Sequence, residues 1–129
     1  MILLDTHVVV WINGSSRKLS RAAVAAIRRS RHHDGLAISA ITLVELARLI
    51  AANRIDPMGT VEQTIAKLVD GVFVRPVTLE IAAFSTYFPP DFPNDPADRI
   101  IAATARAENL PLVTADQRML DCPLLKTIW

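Results

Sequence analysis

Short apolar runs alternate along this chain with longer stretches of helical period, and that rhythm limits the folds open to it. The runs are ILL (2–4), LAIS (36–39), VFVRPV (72–77) and LPLVTA (110–115). Between them lie helical patterns with good starting residues. Ser20 stands before RAAVAAIRRSRH, Ser39 before AITLVELARLIAANR, and Thr60 opens TVEQTIAKLVD. Thr78 precedes LEIAAFSTYF, and Asp95 with Pro96 at the first helical position precedes ADRIIAATARAEN. Strands alternating with helices predict an α/β fold with a mostly parallel sheet, right-handed crossovers and one domain over residues 1–129. Pro76 marks the end of the third strand or an edge position. DQRML predicts a turn of helix and LKTIW a short last strand. The segment THVVVWI (6–12) leaves two readings open, a continued first strand or a helical turn stopped by NGSS.

Half the residues are hydrophobic, so a 129-residue chain can bury a core without staples. A formal net charge of +1 does not announce nucleic-acid binding, which must rest on local clusters. Cys122 is the single cysteine, which rules out an internal disulfide and fits a reducing compartment. The opening stretch lacks a basic leader and does not read as a signal peptide. No segment nears the ~20 uninterrupted apolar residues of a membrane span. A cytoplasmic protein with no membrane partner is expected.

The acids then stand out. Ligands of open α/β sheets sit beyond the carboxyl ends of the strands. Asp5 directly follows the first strand, and Asp116 follows PLVTA. Glu45 lies early in the helix after LAIS, so it starts from the same edge. Asp98 opens a helix that feeds the strand at 111–114. That helix must run antiparallel to the strand, which returns Asp98 to the same edge. Each acid also has a plain structural reading. Asp98 holds a capping-box position, Glu45 has Arg48 one turn on as an ion-pair partner, and Asp5 and Asp116 are N-cap candidates. Two at strand ends and two aimed at the same edge favour a site. Two unit charges ~4 Å apart repel by roughly 4 kcal/mol at an effective dielectric of 20. A divalent cation cancels that cost, and an all-oxygen set suits Mg²⁺ or Mn²⁺ rather than zinc. The matching chemistry is metal-assisted phosphodiester hydrolysis.

The stretches LLDTHVVVWI, SAITLVELARL and DPADRIIAATARAENLPLVTAD together resemble a PIN-domain ribonuclease, specifically a VapC-type toxin of a toxin–antitoxin pair. The likeness runs in order along essentially the whole chain, and the last block is its most specific part. It implies an αβα sandwich around a parallel sheet and an Mg²⁺- or Mn²⁺-dependent endoribonuclease that leaves a 5′-phosphate and a 3′-hydroxyl. It also implies a homodimer and a cognate antitoxin that covers the active site. Carried across by motif, Asp5, Glu45, Asp98 and Asp116 form its acidic quartet. Asp5, Asp98 and Asp116 are the expected metal ligands, with Glu45 ligating or activating the water. Thr6 and Thr114 flank the acids and are expected to orient them or a metal-bound water. Asp95 is explained by its N-cap role and stands outside this set.

Other features have simpler readings. Arg28, Arg29 and Arg31, in RRSRHH, lie at a helix end, where cations suit the dipole; an RNA-phosphate patch is the second reading. His7 has no second His or Cys at ligand spacing and reads as a packed residue. Trp11 and Trp129 read as packing. Tyr87, Phe88 and Phe92 border the Pro-rich loop 89–96, as core, dimer contact or base-stacking rings. Asp5-Thr6-His7 lacks the Asp-x-Asp of a haloacid-dehalogenase phosphatase, and the paired acids and late Lys of a response-regulator receiver are missing too. The rival from another class is a non-catalytic RNA-binding or regulatory module of the same fold.

Overall fold

The computed structural model describes residues 1–129. Five strands form one sheet: β1 (Ile2–Leu4), β2 (Leu36–Ser39), β3 (Val72–Arg75), β4 (Leu112–Val113) and β5 (Thr127–Ile128). Their spatial order is β3-β2-β1-β4-β5, and every pairing is parallel. Seven α-helices connect them: α1 (Thr6–Gly14), α2 (Arg21–His32), α3 (Ala40–Ala51), α4 (Val61–Leu68), α5 (Leu79–Phe84), α6 (Pro96–Ala107) and α7 (Gln117–Leu120).

Alternation along the strands divides the core into two. Ile2, Leu4, Leu36, Ile38 and Val113 pack on Val8, Val9, Ala26, Ile27, Leu46 and Leu68 from α1 to α4. Leu3, Ala37 and Leu112 face the other way, against Ile101, Ala102 and Ala105 of α6 and Met119 of α7. The result is the expected αβα sandwich. No helix is long and apolar enough to cross a membrane.

The open question at 6–12 resolves as helix. Three consecutive valines favour a strand by propensity. Asp5 overrides them: its side chain accepts from the Thr6 amide, and its carbonyl accepts from the Val8 and Val9 amides. The chain turns, and Val8 and Val9 bury completely against the sheet. Helices α3 and α6 both stop short of their full sequence patterns, for one reason. Asn53 and Asn109 take left-handed conformations, with φ of 58° and 54°. The Arg54 amide returns to the Leu49 carbonyl, and the Leu110 amide to that of Ala105, closing Schellman ends.

The chain steps from β1 to β2 to β3, then crosses to β4 on the other flank of β1. The β1/β4 boundary is therefore the topological switch point, where open parallel sheets place their ligand crevice. The Asp5 amide bonds the Val113 carbonyl at 3.0 Å and continues the ladder just past both strand ends.

Leu3→Ala, at the fully buried centre of β1, should lower unfolding stability by about 2–5 kcal/mol. Leu79→Ala, at a largely exposed position, should change it by less than about 0.5 kcal/mol. Urea titrations of both variants check this; equal losses would contradict the placement of the core.

Candidate active site

Asp5 is the best-anchored acid, only 7% exposed. Both its oxygens are occupied. Oδ1 accepts from the Thr6 amide at 2.8 Å, and Oδ2 accepts from the Thr114 hydroxyl at 2.7 Å. Thr114, just after β4, also receives the Asp116 amide on the same hydroxyl oxygen at 3.1 Å. One buried threonine therefore ties the ends of the two switch-point strands together. Asp116 caps α7 by accepting from the Arg118 amide, and Arg118 Nε lies 3.7 Å from its carboxylate.

Glu45 arrives on the second turn of α3, and its partner is Thr6 rather than Arg48. Thr6 Oγ1 donates to Glu45 Oε1 at 2.5 Å, and Thr42 Oγ1 stands 3.0 Å from Thr6 Oγ1. An ionised carboxylate only accepts, so the single Thr6 proton points to Glu45 and Thr42 must donate to Thr6. Asp98 sits at the start of α6, whose N-cap is Asp95 accepting from the Ala97 and Asp98 amides. The reciprocal bond of a capping box is made in α4, between Thr60 and Gln63, and not in α6.

Asp98 lies within electrostatic reach of Asp5, Glu45 and Asp116. Burial, then the charges of Asp5, Asp95, Glu45 and Asp116, push Asp98 up to about 7. Burial also raises Asp5 and Glu45, against the hydrogen bonds from Thr114 and Thr6. Asp95, set aside on sequence grounds, belongs to this group: its charge acts on both Glu45 and Asp98. It also lines a cleft of about 540 Å³ with Thr6, His7, Glu45, Arg48 and Arg54. The sequence signal was present, since the N-cap of the helix carrying Asp98 has to reach the same edge.

Arg28, Arg29 and Arg31 do not join the site. They are exposed on the last part of α2, which feeds the start of β2. There Asp34 pairs with the Met1 amino group. The acids occupy the opposite edge of the sheet. The cations that do border the acids are Arg48, Arg54 and Arg118.

The family model of the PIN domain matches residues 2–123. The chain is a PIN domain protein. It is 38% identical over 130 residues to Ribonuclease VapC22 of Mycobacterium tuberculosis (strain ATCC 25618 / H37Rv), covering 99% of this chain and 98% of that protein. This places it among the VapC-type members. The fold matches VapBC2 from Rickettsia felis bound to a promoter DNA fragment, with a TM-score of 0.74 at 18% identity, over 98% of this chain and 97% of that one. It also matches a toxin–antitoxin complex from Klebsiella pneumoniae, with a TM-score of 0.65 at 22% identity, over 97% and 95% of the two chains.

The donor chemistry of this PIN domain suits a hard dication. Every candidate ligand is an oxygen, the charges around Asp98 push its carboxyl up, and a bound cation would reverse that repulsion. No three His, Cys, Asp or Glu side chains are drawn together closely enough to form a ready-made metal cage.

Asp98 sets a pH dependence. The folded protein holds its proton up to about pH 7, whereas the ordinary value is 3.8. Between these limits the unfolded chain binds fewer protons than the native one. Stability in metal-free buffer should therefore fall as pH rises from about 4 to about 7. Asp98→Asn should flatten that slope, and Mn²⁺ should offset it by binding the ionised native site. Denaturation midpoints across this range, with and without Mn²⁺, test it; a wild-type slope in Asp98→Asn would contradict the assignment.

Proposed function

We propose that this PIN domain is a metal-dependent endoribonuclease that hydrolyses RNA phosphodiester bonds, acting as the toxin of a toxin–antitoxin pair. The observation that carries this reading is the cluster of acids around a buried, doubly hydrogen-bonded Asp5 at the switch point. Full-length identity to a protein named as a ribonuclease supports the reaction. The antitoxin partner rests on the sequence resemblance and on the toxin–antitoxin complex that shares the fold. The homodimer belongs to the same resemblance. Phe73 and Val74 on the edge strand β3, with Leu79 beyond it, supply exposed apolar surface for it.

In this reading Asp5, Asp98 and Asp116 hold the ion, directly or through water. A bound Mg²⁺ or Mn²⁺ polarises the phosphate and neutralises charge that develops on its oxygens. Thr114 fixes the Asp5 carboxylate and the Asp116 backbone together, so their separation does not drift between turnovers. Glu45, raised by burial and with Oε1 held by Thr6, presents Oε2 to accept a proton from the attacking water. Arg48, Arg54 and Arg118 border the acids and attract the RNA backbone into an otherwise anionic cleft. The products are a 5′-phosphate and a 3′-hydroxyl. A non-catalytic module has no need of this orienting network.

Asp5→Asn keeps the N-cap acceptor for the Thr6 amide, so it should fold normally and lose cleavage. Sequencing RNA 5′ ends after brief expression of each form checks this; wild-type cleavage by the variant would end the assignment. Thr114→Val should keep the fold and weaken Mn²⁺ binding about 10- to 100-fold, as loss of a ligand-orienting partner does. Calorimetric titration with Mn²⁺ measures it, and an unchanged affinity would remove Thr114 from this role.

A further inference from the structure

We infer that unpaired bases of the RNA strand leaving the acidic cleft stack on an aromatic track made by His7, Trp11 and Trp129. The inference rests on the ribonuclease reading above and adds the form of RNA the site takes. His7 is exposed and lines the cleft beside Glu45 and Asp95. Trp11 follows one turn later on the same face of α1, its ring centroid 6.0 Å from that of His7. Trp129 comes next, 5.9 Å from Trp11. It follows β5, whose end lies on the same sheet edge as the acids: the Thr114 amide bonds the Ile128 carbonyl.

Neighbouring rings are tilted by 48° and 53° at about 6 Å, the spacing at which aromatic side chains pair, and they are not stacked face to face. Phe88 and Phe92 give the opposite case. They stack at 4.2 Å and 16°, and Phe92 is buried, so neither offers a free platform. Trp11 is half-buried and belongs to neither core cluster, whereas Trp129 rests partly on one and anchors the end of the track.

A cation completes the surface. Lys18 Nζ sits 5.9 Å from the Trp11 ring centre, beside exposed Arg17. Aromatic faces flanked by such cations hold single strands with little sequence preference, because every base has a π-face. Paired bases keep their faces inside the duplex. The track therefore selects unpaired RNA beside the scissile bond, with Lys18 and Arg17 on its phosphates.

The molecule carries its own reporter. Trp11 and Trp129 are its only tryptophans, so their emission reports this surface alone. The Asp5→Asn protein, which should bind without cutting, is titrated with a short single-stranded RNA of mixed sequence and with the same RNA annealed to its complement. The single strand should quench tryptophan emission, and the duplex should leave it unchanged. In the otherwise wild-type enzyme, Trp11→Leu keeps apolar bulk and should raise KM for single-stranded RNA by about tenfold with little change in kcat. Trp11→Phe should restore most of the loss, which mere packing repair through leucine does not. If RNA is bound and cleaved while emission stays constant and Trp11→Leu keeps the wild-type KM, the track is not a base platform and the ribonuclease reading stands. If the wild-type protein with Mn²⁺ cleaves no RNA, the ribonuclease reading falls and takes this inference with it. Quenching by a co-expressed partner protein but not by RNA assigns the surface to that partner and overturns the proposal.

Discussion

Mutual repulsion among carboxylates is the constraint around which this molecule is arranged. Five acids, Asp5, Glu45, Asp95, Asp98 and Asp116, arrive at one sheet edge from four elements, Asp95 and Asp98 sharing the start of α6. Left alone they would favour any conformation that spread them apart. The fold resists this by making three of the acids helix caps. Asp5 caps α1, Asp116 caps α7 and Asp95 caps the helix that carries Asp98. Caps of this kind contribute about 1 kcal/mol each. Burial of the β1, β2 and β4 side chains supplies the remaining restraint.

This dual use explains how the sequence could be read and where the reading stopped. Ser20, Ser39, Thr60, Thr78 and Asp95 all cap the helices they were expected to start, because a cap depends on neighbours two or three residues away. The quartet was legible by topology: residues after parallel strands, and at the starts of helices running against them, must share an edge. The segment at 6–12 was not legible. Three valines favour a strand, and the cap at Asp5 together with burial of Val8 and Val9 against the sheet turned it into helix. The arginines at 28–31 keep the plainer of their two readings, exposed cations at the C-terminal end of α2 that suit the helix dipole. Local charge density by itself says nothing about which end of the sheet a helix terminus occupies.

Asp95 was set aside for a related reason. Its N-cap role is a sufficient local explanation, and local sufficiency does not exclude a second role. Asp95 caps α6 and also charges the cleft.

The hydroxyl row from Thr42 through Thr6 to Glu45 has a directional consequence. Its polarity is fixed while Glu45 is anionic, with each oxygen giving its hydrogen toward the acid. A hydrogen taken up on the free Glu45 oxygen leaves that row undisturbed. One taken up on the oxygen facing Thr6 would compete with the Thr6 hydrogen already pointing there, and the hydroxyl hydrogens of Thr6 and Thr42 would have to reorient. The two oxygens of this side chain are therefore chemically unequal, one tied into the row and the other free of it.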